Sequence, residues 1–94
     1  MEERTKKLYE FVKEFWLLIK NYIHLPNDPN EDEWYHAIES AGNISAKYSN
    51  KFGNAEERFC FEMVQLWHVY MNNRVKENRG EELGWYNERI RSDE

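Results

Sequence analysis

Apolar side chains recur along this chain at helical spacing, and the width of the apolar arc changes from segment to segment. On a wheel of about 100° per residue, Leu8, Tyr9, Phe11, Val12, Phe15, Trp16, Leu18, Ile19, Tyr22 and Ile23 cover roughly 200°. That is twice the stripe a surface helix needs, and Leu17 alone falls on the polar side. The pattern predicts a helix over residues 3–24. Pro26 and the Asn27-Asp28-Pro29-Asn30 stretch end it, since proline lacks the amide donor and forces the residue before it out of the α region. A second helix is predicted over residues 31–50, capped by Asp28 or Asn30, with Glu31, Asp32 and Glu33 placed at the positive end of its dipole. Its face of Trp34, Ala37, Ile38, Ala41, Ile44 and Tyr48 spans only roughly 120°, and Gly42 and Asn43 weaken its middle.

Gly53 suits the position just past a helix, and Asn54 followed by Glu57 forms a capping box in all but its Ser/Thr, so a third helix is predicted over residues 55–78. Phe59, Cys60, Phe61, Met63, Val64, Leu66, Trp67, Tyr70, Met71 and Val75 again span roughly 200°, with Val69 straying into the polar arc. Arg79-Gly80 closes this helix. A short last one over residues 81–91 would carry a narrow stripe of Leu83, Tyr86 and Ile90. Short connections make neighbouring helices antiparallel. The expected fold is therefore all-α: one domain over residues 1–94, an up-down bundle of three long antiparallel helices plus a short C-terminal helix.

Composition supports a packed core. Of 94 residues, 40% are hydrophobic and 16% aromatic, too rich for a disordered chain, and the apolar content is concentrated in bulky side chains set among many charges. The formal charge of −5 disfavours a nucleic-acid backbone or an anionic membrane as partner, and the negative charge gathers in residues 25–53 and 81–94. The longest apolar run, Phe15 to Ile19, is far short of a bilayer span. A single cysteine and a start without a charged-then-apolar leader suit a cytoplasmic protein.

Candidate chemistry is sparse. Asp28, Asn30, Asp32 and Glu39 have the spacing of an EF-hand calcium loop, but Glu33 stands where that loop requires glycine, and the stretch after it has a helical pattern. An acidic helix start explains the same residues. His24, His36 and His68 share no helical register that would assemble a catalytic or metal site. Cys60, between Phe59 and Phe61, is expected as a buried thiol rather than a nucleophile. Glu10, Glu14, Glu56 and Glu57 fall largely on polar arcs and do not give the inward carboxylate pairs that hold magnesium in helical bundles. Asn43-Ile44-Ser45 matches a glycosylation acceptor that a cytoplasmic chain would not use. Arg74, Lys76, Arg79, Arg89 and Arg91 gather toward the C-terminal side, where cations complement a helix end. No enzymatic activity, cofactor or metal is expected.

The surplus apolar arc carries the functional expectation. Either the last segment folds back through Leu83, Tyr86 and Ile90 to cover it, or it pairs with another protein or a second copy. Tyr9, Trp16, Trp67, Met71 and Trp85 are the candidate interface residues, because Trp, Tyr and Met are over-represented in interface cores. The leading expectation is a non-enzymatic interaction module, self-associating as a homodimer through the first and third helices. The alternative is an acidic inhibitor or adaptor that occupies a basic, nucleic-acid-binding surface of a target through Asp28, Glu31, Asp32, Glu33, Glu81 and Glu82. In size, acidity and aromatic helices the chain resembles small proteins of phages and mobile elements, a kind that includes defence inhibitors. That likeness rests on no motif and assigns no residue a role.

Overall fold

Asn30 and Asn54 each start a helix. The Oδ1 of Asn30 accepts the amide of Glu33 at 3.1 Å, and the Oδ1 of Asn54 accepts the amide of Glu57 at 2.9 Å. Each bond satisfies one of the donors that a helix N-terminus leaves open. The computed structural model describes residues 2–49 and 53–84, and among them the chain forms α1 (Glu3–Tyr22), α2 (Glu31–Ser49) and α3 (Ala55–Asn78). Of the two candidate caps for α2, Asn30 is the one used.

The first helix stops at Tyr22 rather than at residue 24. The chain leaves it through a series of turns in which Leu25 N–H donates to the Tyr22 carbonyl at 3.1 Å and Asn27 N–H to the His24 carbonyl at 3.0 Å. This early exit swings Leu25 fully into the core. Asn78 Nδ2 then donates to the Pro26 carbonyl and to Asn27 Oδ1, both at 2.9 Å, so the end of α3 is tied to the turn that follows α1. Past α3, Gly80 takes φ 72°, a left-handed conformation that a side chain would strain.

Helix does not resume at Glu81. Residues 81–84 are extended or irregular, and the Asn73 side chain clamps Gly84, donating to its carbonyl at 2.9 Å and accepting its amide at 2.8 Å. The chain therefore folds back along α3 instead of starting the expected last helix. Residues 85–91 of that expectation lie outside the described residues.

Helix α2 packs against both other helices, while α1 and α3 touch each other more thinly. An Arg4–Glu56 ion pair joins α1 and α3 at one end and Asn78–Pro26 at the other, so these two run parallel, with α2 antiparallel to both. The core is Phe11, Phe15, Leu18 and Leu25 against Ala37 and Ala41 against Cys60, Val64, Trp67 and Met71. Phe11 is its hub, stacked on Phe15 at 5.3 Å between ring centroids and edge-on to Tyr48 at 5.6 Å and Phe59 at 6.3 Å. The two alanines give the aromatic rings room to reach α2. They also displace a sequence expectation, because Ile38 sits outside the core and is exposed.

Candidate protein-interaction face

Each of the two wide-arc helices carries two apolar seams offset by one residue. On α1, Leu8, Phe11, Phe15, Leu18 and Tyr22 follow alternate steps of three and four, and so do Tyr9, Val12, Trp16, Ile19 and Ile23. The first seam faces inward, contributing core residues or packing against the core. The second turns outward, with Ile19 at the boundary between the two. On α3, Cys60, Val64, Trp67 and Met71 are buried, whereas Phe59, Met63, Leu66 and Tyr70 lie one position round the helix.

Both outer seams lie on the same side of the bundle. Glu14 and Leu18 mark the flank of α1 nearest α2, where Lys47 Nζ donates to Glu14 at 2.9 Å and Tyr48 OH donates to the same carboxylate. On α3 the flank nearest α2 holds His68 and Asn72, which share a small pocket with Trp34, Ala37 and Ile38. Tyr9, Val12, Trp16 and Ile23 on α1, with Phe59, Leu66 and Tyr70 on α3, project from the opposite flanks. These seven large apolar side chains each have between 44% and 59% of their surface exposed. They form one apolar face on the side of the α1–α3 pair that α2 leaves bare.

The lysine edge of this face is regular. Lys6, Lys13 and Lys20, seven residues apart, line the outer border of the α1 seam, and Lys13 Nζ sits 5.2 Å from the centre of the Tyr9 ring. Glu2 lies at its N-terminal end and Glu10 behind it. Beyond the α3 seam Glu62 is paired at 3.5 Å with Arg58, and past the end of the seam Glu77 is paired at 2.6 Å with Arg74. Acidic and basic groups alternate on this side, so it carries no single sign.

The interface residues expected from sequence divide accordingly. Tyr9 and Trp16 are on the face, at 57% and 59% exposed. Trp67 and Met71 are not: at 5% and 1% exposed they are core residues, because the α3 register turns them toward α1 and α2. Trp85 lies outside the described residues. Sequence reasoning passed over Val12, Ile23, Phe59, Leu66 and Tyr70 as interface candidates, although their three-four spacing was the available signal.

The acidic residues gather without forming a single-signed surface. Asp28, Glu31 and Asp32 are exposed at the end of the bundle where Asn78 meets Pro26, and Glu81 and Glu82 are exposed on the segment leaving that end. Basic side chains are interleaved with them. His24 Nε2 lies 2.7 Å from Glu33 Oε2, Arg79 reaches Glu81 at 3.9 Å, and Arg74 and Lys76 are one turn away. Because residues 31–49 are helical, the EF-hand spacing folds as the start of α2 rather than as a twelve-residue loop. Among the described residues, no three His, Cys, Asp or Glu side chains converge to hold a metal ion, and no helix is long and apolar enough to cross a membrane.

Cys60 is buried as expected, and desolvation, helped by the nearby charges of Glu56 and Glu57, pushes its thiol up to about 11. It borders a cleft of about 440 Å³ among the N-terminal turns of α1 and α3 and the end of α2, which the Arg4–Glu56 pair also lines. A thiol held protonated in this way is a poor nucleophile. His68 packs beside Trp67, its ring 5.5 Å away, and His36 lies beside Tyr35 at 5.9 Å. The geometry gathers apolar area rather than reactive groups. Comparison with protein-family models, with curated proteins and with solved structures finds no match to this chain.

Proposed function

We propose that this chain is a non-enzymatic interaction module that binds a second copy of itself through the outer face of α1 and α3. One observation carries the reading: seven of the eleven exposed large apolar side chains among the described residues lie together on one face, while Leu17, Tyr35, Ile38 and Leu83 stand apart from it. At roughly 200 Å² per large side chain with about half of each exposed, the seven present on the order of 700 Å². That exceeds the apolar patch of a typical monomer, roughly 300–600 Å², and approaches the roughly 800 Å² that each partner gives a standard interface. Two parallel helices with three-four seams are also what coiled-coil packing requires of each half of a four-helix layer.

Sedimentation equilibrium of the full chain tests this. The expected result is a dimer at tens of micromolar that persists in 1 M salt, since apolar burial is not screened. A Val12→Glu, Trp16→Glu double variant should sediment as a monomer with an unchanged helical circular-dichroism spectrum. A wild-type chain that stays monomeric at every concentration, because residues 85–94 or a different protein covers the face, overturns the proposal.

A further inference from the structure

The chain is brought back to α3 after leaving it. Gly80 reverses the backbone, and Glu81 N–H donates to the Lys76 carbonyl at 2.8 Å. At Gly84 the chain is fastened a second time by the two hydrogen bonds of the Asn73 side chain, so close to α3 that a β-carbon at this position would sit 3.2 Å from Lys76 Nζ. Between the level of Lys76 and that of Asn73 the backbone therefore runs antiparallel to α3, toward Tyr70. Asn73 stands three positions after Tyr70 and seven after Leu66, on the same side of the helix. The outer seam of α3 ends at Tyr70, where the returning chain arrives.

Ten residues follow Gly84, and Trp85, Tyr86 and Ile90 are among them. Their reach is sufficient. Phe59, at the far end of the seam, is fourteen positions from Asn73, about 21 Å of helix, whereas ten extended residues span roughly 33 Å. Given self-association through the outer face, as proposed above, we infer that residues 85–94 compete with the second copy for the outer seam of α3. In the lone protomer Trp85 and Ile90 cover Tyr70 and Leu66, and in the dimer the partner displaces them. Three large apolar side chains do not cover seven, so the cover is partial, and Tyr9, Val12 and Trp16 on α1 stay open to begin the association. The fastening at Gly84 makes the contact intramolecular, and the resulting effective concentration offsets its small area. Only uncovered chains then dimerise fully. Because both protomers must be uncovered, the apparent dissociation constant rises as the inverse square of the uncovered fraction.

Sedimentation equilibrium of full-length chains reads the competition. A Trp85→Ser, Ile90→Ser double variant should lower the dimer dissociation constant by roughly tenfold, the gain expected when about one third of wild-type chains are uncovered. A nitroxide on Ser92→Cys, in the Val12→Glu, Trp16→Glu background, reads the cover itself. It should broaden the amide signals of Leu66 and Tyr70 more than those of Gly42 and Asn43 on the exposed side of α2, and adding Trp85→Ser and Ile90→Ser should abolish the difference. An unchanged or raised dissociation constant in the double variant of a protein that does dimerise, or equal broadening of α2 and α3, overturns the competition and leaves self-association standing. A wild type that stays monomeric while the double variant dimerises overturns the proposed function and keeps the cover. Chains that never dimerise, with or without Trp85 and Ile90, overturn both.

Discussion

Two side chains at one end of the bundle show how local surroundings set chemistry in a molecule with so few reactive groups. The Cys60 thiol, lifted to about 11 by burial and by two nearby carboxylates, holds about 100-fold less thiolate at neutral pH than it would at its ordinary value of 9.0. Ellman's reagent at pH 7.5 should therefore label the folded chain at least about 100-fold more slowly than the urea-unfolded one. Fast labelling of the folded protein would mean that the cleft exposes the thiol. Glu14 shows the opposite shift. Hydrogen bonds from Tyr48 and Lys47 hold its carboxyl below the usual carboxylate range against the cost of burial. The folded state thus prefers the ionised form, and the stabilisation is complete above the ordinary carboxylate range and lost as pH falls through the lowered value. Glu14 is over a third exposed, so the effect is under about 1 kcal/mol. The urea midpoint should fall on acidification from pH 7 to pH 3, and Glu14→Gln should fall by less.

At the scale of elements, the starts of α2 and α3 and the close of α3 were legible because they are written in local chemistry, whereas the stop of α1 and the expected helix start at Glu81 were not. Asn54 caps α3 through its own side chain, and Asn54→Ala should cost about 1 kcal/mol in denaturant unfolding; a change below a few tenths would show that water or a neighbour replaces the cap. The starts of α2 and α3, the closing Arg79-Gly80 pair and the buried Cys60 all follow from residue types and spacing. The width of the apolar arcs was also legible, and it signalled that α1 and α3 have two sides to satisfy. Which side is which was not. The inner and outer seams differ by one position, as Leu8 and Tyr9 do, and residue type does not distinguish them. Placing Trp67 and Met71 outside followed interface composition, whereas burial follows the phase of α3 against α1 and α2, a property of three helices together. Ile38 was misplaced for a related reason: the close approach of α2 selects Ala37 and Ala41 for the interior and rotates the larger side chain out. Leu25 entered the core because of where α1 stops, which the two prolines bounded without fixing.

For the molecule as a whole, the two tryptophans Trp16 and Trp67 separate folding from assembly. Trp67 fills space between three helices, so Trp67→Ala removes buried area and leaves a cavity, at a cost of about 3–5 kcal/mol. For a domain whose total stability is on the order of 5–15 kcal/mol, that loss alone approaches unfolding. Trp16 rests half-exposed on α1, and its removal takes little from the isolated protomer. If the outer face joins two copies, the assembled state binds native chains and not unfolded ones, so thermal stability must rise with protein concentration. The melting temperature of the wild type should climb over a hundredfold increase in concentration. Trp16→Ala should flatten that dependence while melting close to the wild type at the lowest concentration. Trp67→Ala should instead melt far lower at every concentration. A wild type whose melting temperature ignores concentration across the micromolar range would leave the outer seams without a partner of their own kind.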